Sequence, residues 1–265
     1  MSHQEIVSGL KILLNDSRRD ADIPLEKLFA MQDIFLEKNS NLYSDEKLSD
    51  VKYYLRALSY KFHLANLSLS QLWALSDTKK YELFDALQNS LDNIEYSDDE
   101  LLLISFVFEN FLFQAQSYVD FYMLYATIFL QSDHQGSISE KKFFKSVDGI
   151  IEGSFVDKAK LVSHYFSTRV FGSSNWDGLN PNNWGTLLKS LRDRIAHRDI
   201  IRPSFNSKET IAGNLLFDWP TLQNITYDRF CQYMQNGMFA LMQDISPILY
   251  DLEWKSGVYT PGLWH

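Results

Sequence analysis

An all-α fold, a helical bundle, is predicted by three features of this 265-residue sequence. Residues 1–135 hold one glycine, Gly9, and one proline, Pro24, so helix breakers are nearly absent from the first half. Apolar residues recur at helical spacing in segment after segment, and no alternating strand pattern competes with them. Apolar side chains make up 45 % of the chain and aromatic ones 15 %, enough for a sizeable core and too many for intrinsic disorder. The length suits one large domain or two small ones, and the chain carries no internal repeat.

The elements follow in order. Glu5–Leu14 and Leu25–Glu37 have helical apolar spacing, the second starting just after Pro24. Asp45–Leu67 presents Leu48, Val51, Leu55, Leu58, Phe62 and Ala65 on one face, and Thr78–Leu91 reads as a separate helix through Leu83, Phe84 and Leu87. Ser97 and Glu100 have the spacing of a capping box, opening a long helix to about Gln131 that is apolar on most sides and therefore central. Ser139 caps a helix to about Ile151, and another runs from near Phe155 to before Gly172. Trp184–Asp199 is helical through Leu187, Leu188, Leu191 and Ile195. Ile200–Ile225, broken by Pro203, Gly213 and Pro220, reads as irregular with room for a short hairpin. Thr226 opens a last helix, Tyr227–Ile245, which Pro247 should end or kink.

Composition excludes several functions. The lone Cys231 rules out a disulfide framework and a cysteine zinc site. The remaining histidines show no metal-ligand spacing, and neither G-x-S-x-G nor a Walker loop is present, so no metal or cofactor is expected. The first twenty residues lack the pattern of a signal peptide. Leu101–Leu130, the most apolar stretch, carries Glu109, Asn110, Gln114, Gln116 and Asp120 in its middle, so no membrane association is expected and the default location is the cytoplasm. A net charge of −9 argues against a general nucleic-acid binder.

That average conceals one basic segment. Lys189, Arg192, Arg194, Arg198 and Arg202, against Asp193 and Asp199, give Lys189–Arg202 a local charge of +3 and leave −12 for the rest. Such a patch either focuses an anionic ligand or is a solvated helix face with its own ion pairs. His197 stands four residues after Asp193, so a continuous helix places imidazole and carboxylate on one face. Arg192 stands five before His197, about 140° away around the helix, with a rise of roughly 7.5 Å. The two converge on one small substrate only at a distorted helix end, or when two copies of the segment face each other across a two-fold axis.

The run Arg192-Asp193-Arg194-Ile195-Ala196-His197 resembles the R-x4-6-H signature of the HEPN superfamily, including the polar residue directly after the arginine. The resemblance implies a HEPN-like helical domain over 96–265, with 1–95 as an N-terminal helical extension that is either separate or integral to it. Many members of that family are dimeric, metal-independent endoribonucleases of toxin–antitoxin or antiviral systems, and others are inactive scaffolds. By motif position the resemblance makes Arg192 and His197 catalytic and Asp193 their support. It also implies RNA as substrate, a homodimer, and an antitoxin or other protein partner. Arg194, Arg198 and Arg202 are candidate RNA phosphate contacts or plain surface arginines. Glu109, Gln116 and Asp120 interrupt an apolar helix, and any of them is a candidate to face the motif. Trp176 and Trp184 flank the loop before the motif, either to stack on bases or to pack that loop onto the bundle.

Overall fold

The structure is a computed structural model and describes residues 22–88, 96–132, 139–172, 183–197, 208–211, 215–218, 220–222 and 225–252. Helices dominate it, as the sequence predicts. Helix α1 spans 22–39 and buries Leu25, Leu28, Met31, Phe35 and Leu36, with Pro24 in its first turn where no amide bond is lost. A 3-10 turn, Ser40–Leu42, leads to α2, Asp45–Gln88.

Helix α2 is one uninterrupted helix of 44 residues, not the two helices expected from its sequence. The stretch 68–77, rich in serine, contains neither glycine nor proline, and Leu69 and Leu72 carry the buried stripe of Val51, Leu55, Leu58, Phe62 and Ala65 straight through it. The hydroxyls of Ser68 and Thr78 donate to the carbonyls of Leu64 and Ala74 one turn back, so they find partners inside the helix.

Helix α3, Asp98–Phe129, begins at the capping box: the Ser97 hydroxyl accepts from the Glu100 amide, and the Glu100 carboxylate accepts from the Ser97 amide at 2.7 Å. It runs antiparallel to α2. Lys79 pairs with Glu100, Asn110 donates to Ser68, and Lys61 donates to Gln114, so the partners rise on one helix as they fall on the other. Helix α3 also touches α4 (Glu140–Asp148, capped by Ser139), α6 (Trp184–Ala196) and α7 (Tyr227–Tyr250), which places it centrally. Between α4 and α6, helix α5 (Val156–Tyr165) passes into a π-turn, Phe166–Val170.

Two small antiparallel hairpins precede α7. Strand β1 (Lys208–Ile211) pairs with β2 (Leu215–Asp218), and β3 (Thr221–Leu222) with β4 (Ile225–Thr226). Helix α7 runs past Pro247 to Tyr250, further than the sequence suggests. Ser246, Leu249 and Tyr250 are buried, and Lys158 donates at 2.6 Å to both the Leu249 carbonyl and the Asp251 carboxylate, closing the helix end after the proline.

One core cluster joins residues of α1, α2, α3, α4, α5, α6 and α7, and α2 packs along α3 across position 95. Its largest members include Tyr118, Tyr122, Tyr125, Tyr227 and Tyr250. Their hydroxyls are mostly partnered: Tyr118 donates to the Met238 carbonyl, Gln32 donates to Tyr125, and Tyr125 bonds Tyr250. The expected helix Glu5–Leu14, the end of Thr78–Leu91 and the loop after Ser132 lie outside the described residues.

Candidate functional site: an arginine between two carboxylates

The site rests on how α6 is seated. Trp184, Gly185, Leu188 and Leu191 form its buried face. Gly185 lies so close to Val170 that a side chain there would collide with both the Val170 side chain and its carbonyl. On the α4 side, Lys189 pairs with Glu140 at 2.8 Å. These contacts leave Arg192, at the edge of the buried face, and Asp193 partly exposed, and Arg194 and His197 exposed.

Arg192 is held from two directions. Its Nη1 donates to Asp193 Oδ1 at 2.8 Å, and its Nη2 lies 3.7 Å from Asp120 Oδ2 on α3. Asp120 is in turn steadied by Gln116 one turn earlier, whose Nε2 donates to Asp120 Oδ1 at 2.9 Å. Burial pushes the Asp120 carboxyl above the ordinary aspartate value, and the Asp193 charge adds to this. The Gln116 hydrogen bond and the charges of Arg192 and Lys189 oppose it. Gln116 is 3 % exposed, and its Oε1 is buried without a hydrogen-bond partner.

His197 sits just past the last helical residue as the C-cap, with φ −92° and ψ 20°, its amide donating to the Asp193 carbonyl at 3.0 Å. Among the described residues the imidazole has no hydrogen-bond or ion-pair partner, and the expected Asp193–His197 contact is not made; Asp193 pairs with Arg192 instead. One chain therefore brings together Arg192, Asp193 and Asp120, and leaves His197 exposed beside them. Arg198, Arg202 and Trp176 lie outside the described residues.

Of the three polar interruptions in α3, Asp120 reaches the motif directly and Gln116 reaches it through Asp120. Glu109 instead faces Tyr227, where its charge joins burial in pushing the phenol upward, and burial raises the Glu109 carboxyl itself. Trp184 is 2 % exposed and packs against Gly237 of α7, so it packs α6 and does not stack on a base. Burial pushes the Cys231 thiol well above its ordinary value, which removes it as a nucleophile.

The face of α3 that carries Asp120 has a second property. Leu102, Phe106 and Phe113 lie on it at helical spacing, with Asp120 five turns beyond Leu102. They are 70 %, 66 % and 38 % exposed. Three exposed apolar side chains thus share that face, with Glu109 among them and Asp120 two turns beyond Phe113.

Among the described residues, no group of histidines, cysteines and carboxylates is placed to hold a metal ion, and no helix is long and apolar enough to cross a membrane. In comparisons with protein families, curated proteins and solved structures, the chain matches none.

Proposed function

We propose that this chain is a HEPN-like, metal-independent endoribonuclease that works in the cytoplasm as a homodimer, within a toxin–antitoxin or antiviral system. The observation that carries the reading is the state of Arg192: fixed by two carboxylates, still one-third exposed, and five residues before an exposed histidine in an otherwise acidic chain.

The chemistry asks little more of the chain. The ribose 2′-OH attacks the adjacent phosphorus, the bond to the 5′-oxygen breaks, and a cyclic phosphate and a 5′-OH result. His197 moves a proton at one of these oxygens, an effect of roughly 10²–10⁴-fold. Arg192 donates to the phosphorane oxygens as their charge grows. Asp193 sets the guanidinium plane, and Arg194, Arg198 and Arg202 supply phosphate contacts along the strand. The two-fold arrangement brings one copy's Arg192 towards the other's His197, and Leu102, Phe106 and Phe113, on the helix face that carries Asp120, are the surface that a second copy covers.

The second reading is a non-catalytic HEPN-like scaffold for a protein partner. It is favoured by the same two carboxylates, which neutralise Arg192 as they would a structural ion pair. RNA cleavage in EDTA separates the readings. Loss of cleavage on both Arg192→Ala and His197→Ala supports the nuclease; equal cleavage by wild type and both variants removes the site assigned here.

A further inference from the structure

Resting on the nuclease reading, we infer that Asp120, held by Gln116, is a positioning residue that aims Arg192 at the scissile phosphate from a second helix. Asp193 is the neighbour of Arg192 on the same helix, so their pair moves as α6 moves and fixes the guanidinium only relative to its own backbone. Asp120 belongs to α3, the central helix, and its contact at 3.7 Å ties the other amino group of the guanidinium to the rigid part of the bundle. A planar, forked cation held at two nitrogens from two helices has little freedom to rotate, and orientation of this kind is worth large factors in rate.

Gln116 shows that the arrangement is built rather than incidental. Its side chain is buried, and its Nε2 is committed to Asp120. A glutamine makes sense there because it turns the Asp120 carboxylate so that Oδ2 points at Arg192.

The test is steady-state cleavage, in EDTA, of a fluorescent mixed-sequence single-stranded RNA by wild type, Gln116→Met, Asp120→Asn and Asp120→Ala, with thermal unfolding of each protein. Asp120→Ala lowers kcat about tenfold or more with KM changed less than about threefold, because orientation and not binding is lost. Asp120→Asn, which still accepts a hydrogen bond, recovers part of that loss. Gln116→Met lowers kcat by more than its change in unfolding temperature accounts for, a combination that a merely structural glutamine does not produce. Active wild type with all three variants within about twofold of its kcat overturns the inference alone, as does a rate that falls only in step with the unfolding temperature. Wild type without EDTA-resistant cleavage overturns the nuclease reading and this inference with it.

Discussion

The indole of Trp184 fills the space that a side chain on Gly237 would need: a Cβ there would stand 2.5 Å from the indole Cδ2 and 2.7 Å from Cε2. A glycine inside a helix ordinarily costs about 1 kcal/mol relative to alanine. Here it is the condition for α6 and α7 to approach, and that approach sets where Arg192 stands. Gly237→Ala therefore destabilises the protein by about 1–2 kcal/mol net, since overpacking outweighs the gain in helix propensity. Urea unfolding midpoints of the two proteins check this; an unchanged or higher midpoint contradicts it.

Arg192→Lys separates charge from geometry. Lysine keeps the positive charge but cannot contact two carboxylates in one plane. On the proposed nuclease reading, cleavage falls about a hundredfold while binding to an all-2′-deoxy oligonucleotide changes little. Fluorescence anisotropy with that oligonucleotide, beside the rate assay, makes the comparison.

Glu100 has two tasks and Ser97 one. Glu100 completes the cap of α3 and pairs with Lys79, which is itself 6 % exposed and also reaches Glu82 at 3.2 Å. Glu100→Ala consequently costs more than Ser97→Ala, about 2 kcal/mol against about 1. Chemical denaturation of both variants ranks them, and a larger loss for Ser97→Ala contradicts the assignment.

Alkaline pH unfolds the protein through its buried tyrosines. Burial pushes the phenols of Tyr118, Tyr122, Tyr125 and Tyr250 upward in the folded chain. Below the unfolded value of about 10 both states bind the same protons and no stability is lost. Above it the unfolded chain sheds protons that the folded chain retains, so stability falls as pH rises. Tyrosinate absorbance then shows these phenols ionising together with the loss of helical circular dichroism, rather than before it.

Phe106→Glu on the exposed stripe of α3 leaves the core untouched, because the side chain it replaces is 66 % exposed. On the proposed reading of a dimeric nuclease, it shifts the protein from dimer to monomer in light scattering and lowers cleavage with it. A monomeric wild type removes the stripe from the account.

How much of this was legible in the sequence varies with distance along the chain. The start of α3 was readable because Ser97 and Glu100 lie three residues apart and satisfy each other locally. The continuity of α2 was not: its serines look like punctuation until Leu69 and Leu72 are seen to bury themselves on α3. Pro247 misled for the same reason, since Lys158 closes the helix from 91 positions away. In the site, Arg192, Asp193 and His197 were visible as a local run, whereas the pairing of Asp193 with Arg192 in place of His197 was not. Asp120 stood out only as a charge in an apolar helix. Its partner is 72 residues further on, and no local pattern records that meeting.

The antiparallel pairing of α2 with α3 also has a consequence in time. These helices are neighbours in the chain, so a polypeptide leaving the ribosome can assemble them, with Asp120 in place, while Arg192 and His197 are still untranslated. An unfinished or prematurely ended chain is thus a folded pair of helices without Arg192 and His197. If the protein cleaves RNA, the messenger that encodes it is safe from its own nascent product until the last two helices have been made and have docked.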